Sequence, residues 1–385
     1  MRILVNATTC VVGGGIQVAT TFIRHALEDP RGHEFFFAVS PQVMGNLKVL
    51  LDDFSRPVVA VAPSPAKPIR GMASRRKLRG IVRDFRPDLV YSVGSPSYMT
   101  FPATELARFA DGWVSHPSKL VLRRLSIPRR LKQYLHSQYK VFWLRRSDFY
   151  HVQTTTAKDG LVRRAGLPEE RIAVIPNSFS DVFAAATEEN APNGGDDRVV
   201  RLLVLANPFP HKNLAIIPEI AALLRAEDPE YQYRFVVTLP EEGKEVSRFW
   251  RLVASAGVES MIENAGRLTL KECPRWYAKS TIVFLPTLLE TFSATYLEAM
   301  QMGRPIVTTD LDFAREICDE AAVYFAPLSA RAAADAIRSV ASDAVLRADL
   351  VVKGRRRLAR YPSPEQKYQM QLDWIETVAG RGVDG

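Results

Sequence analysis

Short apolar runs alternate along this chain with longer stretches whose apolar residues recur at helical spacing, which is the pattern of parallel α/β sheets. The runs predict strands at residues 2–6, 34–39, 58–62, 88–92, 113–116, 149–153 and 172–175. Helices fill the gaps. Residues 184–197, AAATEENAPNGGDD, carry no bulky apolar side chain and cluster Pro, Asn, Gly and acids, so they predict a linker. The alternation then restarts at 199–205, 233–238, 262–263, 281–285, 305–308 and 322–325, and residues 363–377 read as one more helix. Two Rossmann-like domains follow, 1–183 and 198–362, with a C-terminal helix and tail at 363–385. Ligands are expected at the carboxyl ends of the strands and in the cleft between the domains.

A length of 385 residues exceeds one ordinary core and agrees with two domains. Hydrophobic residues make up 47%, yet no run approaches the roughly 18 uninterrupted apolar positions of a membrane span. The opening Met-Arg-Ile-Leu-Val-Asn enters a strand without a signal-peptide apolar region, so the expected location is the cytoplasm. Cys10, Cys273 and Cys318 lack metal-ligand spacing and read as reduced thiols. Net charge is +9, and the excess is concentrated in residues 66–83 and 118–147, which contain no Asp or Glu. The second run interleaves its bases with Leu, Ile, Tyr, Phe and Trp143. It fits an anionic membrane surface, with peripheral attachment to the inner face of the plasma membrane, equally with a solvated helix face whose Arg stems cover core edges. Nucleic acid is disfavoured, because no recognisable binding module surrounds the run.

Residues 289–305, LETFSATYLEAMQMGRP, place Glu290 and Glu298 eight positions apart across a loop-to-helix junction. Glu290 falls at the carboxyl end of a buried strand. Thr291, Phe292 and Ser293 fall in the first helical turn, where free amides and the helix dipole favour phosphate oxygens. Carboxylates accept hydrogen bonds from hydroxyls, so two acceptors flanking such a cradle suit a molecule with hydroxyls on either side of a diphosphate. Lys212 lies in the first strand-to-helix loop of the second domain, where an ammonium would neutralise a leaving diphosphate. The turn from Gly13 to Gly15 permits close backbone approach to a ligand. The second strand ends at Ala38-Val-Ser40 without the acid that would hold a ribose, which argues against NAD.

These motifs resemble the Glu-x7-Glu element and its surroundings in the retaining glycosyltransferases of family 4. The resemblance implies an α/β chain of the GT-B fold: two facing Rossmann-like domains, a cleft between them and a C-terminal helix crossing back to the first. It implies that Glu290 orients the sugar hydroxyls, that Glu298 holds the nucleotide ribose, and that Lys212 meets the diphosphate. Ser293 stands where the family usually has Gly, and the Arg that accompanies the family's Lys is absent, leaving Asn207, His211 or Arg267 to contribute. The resemblance further implies that Gly14 and Gly15 approach the donor or acceptor, that His116 lies near the transferred sugar, and that Arg267 and Leu268 sit in the base-recognition loop. Asp310-Leu-Asp312 follows the wrong strand for a metal site, so no metal and no cofactor are expected beyond a nucleotide diphosphate sugar as co-substrate.

The reading is transfer of a hexose, with retained configuration, from a UDP or GDP sugar to a glycan or lipid-linked sugar acceptor. The resemblance sets this in lipopolysaccharide O-antigen, capsule or exopolysaccharide assembly. Two alternatives stay open: a nucleotide-sugar epimerase of the same architecture, and a non-catalytic polysaccharide-assembly subunit.

Overall fold

The computed structural model describes residues 1–50, 57–184 and 198–381, so all but the first residue of the predicted linker and the last four residues of the tail lie outside the described residues. The chain divides into two compact units. The first comprises Met1–Pro117, Leu125–Pro176 and Ser363–Gly385, and the second comprises Ser118–Arg124 and Asn177–Pro362.

The first unit is built on β1 (Arg2–Ala7), β2 (Glu34–Val39), β3 (Val58–Ala60), β4 (Leu89–Ser92), β5 (Thr104–Arg108), β6 (Phe149–Val152) and β7 (Ile172–Val174). Their order across the sheet is β3-β2-β1-β4-β5-β6-β7. The second unit carries β8 (Val199–Val204), β9 (Gln232–Val237), β10 (Ile262–Asn264), β11 (Ile282–Leu285), β12 (Ile306–Thr309) and β13 (Ala322–Phe325), in the order β10-β9-β8-β11-β12-β13. Every pairing in both sheets is parallel. A parallel sheet covered on both faces needs continuously apolar strands, and β4, β11 and β12 are buried at every residue. The strand order reverses between β1 and β4 in the first sheet and between β8 and β11 in the second. Loops leaving such a pair diverge to opposite faces and open a crevice at the carboxyl edge.

Two sequence expectations fail in the first sheet. The strand expected at 113–116 is a helical turn, Gly112–Ser115, because Asp111 caps it by accepting from the Trp113 amide at 2.9 Å. Gly160 fixes its position, since a Cβ there would lie 2.2 Å from the Ser115 carbonyl oxygen. The strand that takes its place in the sheet is β5, TELAR, whose Glu105 and Arg108 disguise a buried element.

The C-terminal helix, Pro364–Gly380, starts from a reciprocal Ser363–Gln366 capping box and buries Tyr368, Leu372, Ile375 and Val378 in the core of the first unit. Phe183 lies in the core of the second unit, edge-on to Tyr277 at 5.4 Å, so the division of the chain falls at 176/177 where the sequence placed it at 183/184.

Candidate active site

The crevice between β8 and β11 gathers the second unit's chemistry. The loop after β8 tightens into a single turn, Pro210–Lys212, and leaves it through Asn213 in the left-handed region at φ 53°. The loop after β11 is stitched to it at one carbonyl: His211 O accepts from the Leu288 amide at 2.7 Å and from Thr287 Oγ1 at 3.3 Å. That stitching brings Lys212 and Glu290 into an ion pair, each side chain mostly buried, and Thr287 Oγ1 shares its one proton between His211 O and Glu290 Oε1, each 3.3 Å away. The pair holds the ammonium at the carboxyl edge of the sheet.

The helix after Glu290 runs Ala294–Gln301 and begins with Ser293 as its cap residue, so Thr291, Phe292 and Ser293 precede the first turn that the sequence had assigned to them. All three side chains are buried, and what they offer a ligand is backbone. The Ser293 side chain does not cap the helix, and no acid occupies its first turn, which leaves the positive end open to an anion.

Glu298, a turn further on, is only 9% exposed and accepts from the Tyr277 hydroxyl at 2.7 Å. Burial raises its carboxyl from the ordinary 4.5 to about 7, against the pull of the Tyr277 hydrogen bond. The ribose acceptor that the resemblance implies is therefore an enclosed carboxyl whose burial disfavours its charge. Tyr277 comes from the Cys273–Ala278 helix, and no local sequence signal links it to Glu298.

The remaining expected residues are dispersed. Asn207 and Arg267 are exposed on the loops after β8 and β10, and Leu268 is half-buried beside Gly266, whose amide donates to Asn264 Oδ1 at 3.1 Å. Arg124, counted in the basic run, instead donates to Asn213 Oδ1 and so stands beside the Lys212 turn. Asp310 is held by Arg315 through two hydrogen bonds, at 2.7 and 2.9 Å. In the first unit, Gly14 and Gly15 open the helix Gly14–Glu28, with Gly13 at φ 60° as its cap residue. His116 follows the turn Gly112–Ser115, its Nδ1 2.8 Å from Ser115 Oγ.

Two family models match the chain: residues 12–181 match Glycosyltransferase Family 4, and residues 200–343 match Glycosyl transferases group 1. A D-inositol 3-phosphate glycosyltransferase of Pseudarthrobacter chlorophenolicus is 26% identical over 161 residues, 40% of this chain. The chain spans only 38% of that relative's length. Among solved structures, HepE of Anabaena in complex with UDP-glucose superposes with a TM-score of 0.73 at 15% identity, covering 98% of this chain and 100% of that one. WaaG, a glycosyltransferase involved in lipopolysaccharide biosynthesis, gives 0.70 at 15% identity with each chain fully covered, at 100%. At such identities these two likenesses establish the fold.

Proposed function

The chain belongs to the family 4 glycosyltransferases of the GT-B fold, and from that premise we propose that it moves a hexose from a UDP or GDP sugar to an acceptor hydroxyl with retained configuration. The observation that carries the reading is the Lys212–Glu290 pair at the β8/β11 crevice, next to the uncapped start of the Ala294–Gln301 helix. As the sugar–phosphate bond breaks, negative charge grows on the leaving diphosphate. Lys212 and the helix-start amides supply fixed positive charge there, which favours the transition state over the ground state. Glu290, relieved of part of its ion pair by the arriving phosphate, accepts from the sugar hydroxyls. Glu298 accepts from the ribose, in its ionised form. Because Glu290 is engaged by Lys212, its oxygens are poor nucleophiles, which supports front-face attack of the acceptor assisted by the departing phosphate over a covalent glycosyl-enzyme. Phosphate charge met by an ammonium and amides requires no metal.

The acceptor is read as a glycan or lipid-linked sugar of a surface polysaccharide, supported by the likeness to WaaG. The helix Ile127–Leu144 supports work at an anionic lipid surface: Ile127, Leu131, Tyr134, Leu135 and Phe142 are 78%, 58%, 60%, 58% and 50% exposed, among exposed Arg129, Arg130 and Lys132. Among the described residues no helix is long and apolar enough to cross a membrane.

The test is a panel of UDP and GDP sugars assayed for nucleotide diphosphate release with and without lipid-linked glycan acceptors. Acceptor-dependent release is expected with one base. Conversion of the sugar without release, or release from none of the donors, overturns the reading.

A further inference from the structure

The carboxyl edge of the first sheet carries two buried bases, and among the described residues no buried carboxylate faces the first of them, Arg108. Arg108 ends β5 at 6% exposure, and Lys367, in the first turn of the Pro364–Gly380 helix, is 7% exposed. Burial, reinforced by the Arg108 charge, lowers the Lys367 ammonium to about 7. Among the described residues of this unit the buried acids are Asp29 and Glu105. Asp29 follows the far end of the Gly14–Glu28 helix. Glu105 is three residues from Arg108 along the strand and so faces the other side of the sheet, where Ser92 and Ser147 donate to it at 2.5 and 2.9 Å.

Two buried nitrogens beside this charge are unmet. Arg108 Nε has no hydrogen-bond partner, and neither has Nδ1 of His151, the residue paired with Arg108 across β5 and β6. The His151 ring is kept neutral, first by burial and then by the Arg108 and Lys367 charges. Its Nε2 lies 2.9 Å from the Tyr91 hydroxyl, and that hydroxyl accepts from Gln371 Nε2 at 2.8 Å. The Tyr91 oxygen has two lone pairs, so accepting from Gln371 leaves both directions open for its bond to His151; where Tyr91 gives its proton to Nε2, Nδ1 carries a hydrogen with nothing to receive it. Unmet buried donors are costly, and a guanidinium is the costliest of them.

The same place is the reversal point of the first sheet. Arg108 lies near enough to Cys10, in the loop after β1, to oppose the burial that pushes that thiol up to about 11. A Cβ on Gly94, after β4, would lie 2.7 Å from the Cys10 sulfur, and one on Gly15 would lie 3.9 Å from it. The loops after β1 and β4 and the start of the Gly14–Glu28 helix thus converge on the Cys10 sulfur. That helix has neither a side-chain cap nor an acid in its first turn.

We propose that this edge of the first unit binds an oxyanion of the phosphate class, held by the Arg108 guanidinium and by the His151 tautomer that carries its hydrogen on Nδ1, with Lys367 and the open amides at Gly14 and Gly15 adding positive potential. In a sugar-transferring enzyme the oxyanion is a phosphate of the acceptor, and that assignment alone rests on the transferase reading.

The experiment is thermal unfolding of the full chain in inorganic phosphate against sodium chloride of equal ionic strength. At about 100 times its dissociation constant, phosphate should raise the midpoint by about 2–5 °C. The rise should persist in Lys212→Ala, be lost in Arg108→Met and return in part in Arg108→Lys. No rise beyond chloride, a rise that survives Arg108→Met, or one that disappears with Lys212→Ala overturns the site. Should Arg108→Met not fold, crystals of the unaltered chain soaked in tungstate decide: an anomalous peak within hydrogen-bond distance of Arg108 Nε is expected, and an empty first unit overturns the proposal. For the acceptor, Arg108→Lys should raise KM for a phosphorylated acceptor about 10-fold at unchanged kcat and leave donor KM alone. Equal use of phosphorylated and unphosphorylated acceptors removes the acceptor assignment. A chain that turns over no nucleotide sugar loses the transferase reading, while the phosphate shift still decides the site.

Discussion

Glu298 is a carboxylate that folding has moved toward neutrality, and its pH response distinguishes a binding group from a packing group. Its acidity shifts from 4.5 to about 7 on folding. A raised acid contributes stability fully below pH 4.5, and that contribution is lost as pH rises to 7, because the unfolded chain ionises first. The loss is about 3 kcal/mol. In urea titrations Glu298→Gln should therefore gain up to about 3 kcal/mol on the unaltered chain between pH 4.5 and 7.5. Glu105 is raised in the same way in both proteins, so it cancels from the comparison. An identical stability difference at both pH values would mean that Glu298 is not raised. At the neighbouring position, Lys212→Ala should reduce turnover about 100-fold with little change in donor KM, as removal of a charge that acts mainly on the transition state does. It also removes the counter-charge of Glu290, so the double variant with Glu290→Gln should recover stability without recovering turnover. Turnover equal to the unaltered chain would remove Lys212 from the chemistry. Lys212, Glu290 and Glu298 were legible because a loop cation and two acids at fixed spacing around a helix start are a local pattern. Tyr277, Thr287 and the His211 carbonyl were not, since each reaches the site from its own stretch of chain.

At the scale of elements, the sequence reads well wherever burial and apolarity coincide. Nearly all the strands were found from their apolar runs. β5 escaped because Glu105 and Arg108 break the run, and each is tolerated in the sheet for its own reason: one is bound by two serines, the other faces the carboxyl edge. The turn Gly112–Ser115 was read as a strand because Trp-Val-Ser is extended by propensity, while the cap at Asp111 decides it locally. The helix Ile127–Leu144 poses the opposite case, with an apolar stripe that nothing in the described chain covers. Replacing Ile127, Leu131 and Leu135 by Ser should weaken cosedimentation with anionic vesicles at least about 10-fold and leave activity on a soluble acceptor intact. Full vesicle binding by that variant would return the stripe to a plain solvated face.

For the whole molecule, α/β alternation and chain length were enough to give two parallel-sheet domains, but they are silent on which strands neighbour one another and on discontinuity. The first unit recruits residues from the end of the chain, a fact that resides in Tyr368, Leu372, Ile375 and Val378, side chains indistinguishable in sequence from those of any amphipathic helix. Burying four such residues contributes about 6–12 kcal/mol, comparable with the whole stability of an ordinary domain. A chain ending at Pro362 should consequently lose hydrogen-exchange protection in β1, β4 and β5 while β8, β11 and β12 stay protected. Persistent protection of β1 and β4 would show that the helix is dispensable.

That discontinuity sets the order of events at the ribosome. The polypeptide emerges from its beginning, so the strands of the first sheet wait through translation of the second unit before their last helix exists. At about 5–20 residues per second the wait is roughly 10–40 s. Throughout it the apolar groove that receives Tyr368 and Leu372 is open to chaperones and to other nascent chains. A prematurely terminated product never closes it, so only a translation product carried through residue 378 withdraws that groove from proteolytic recognition.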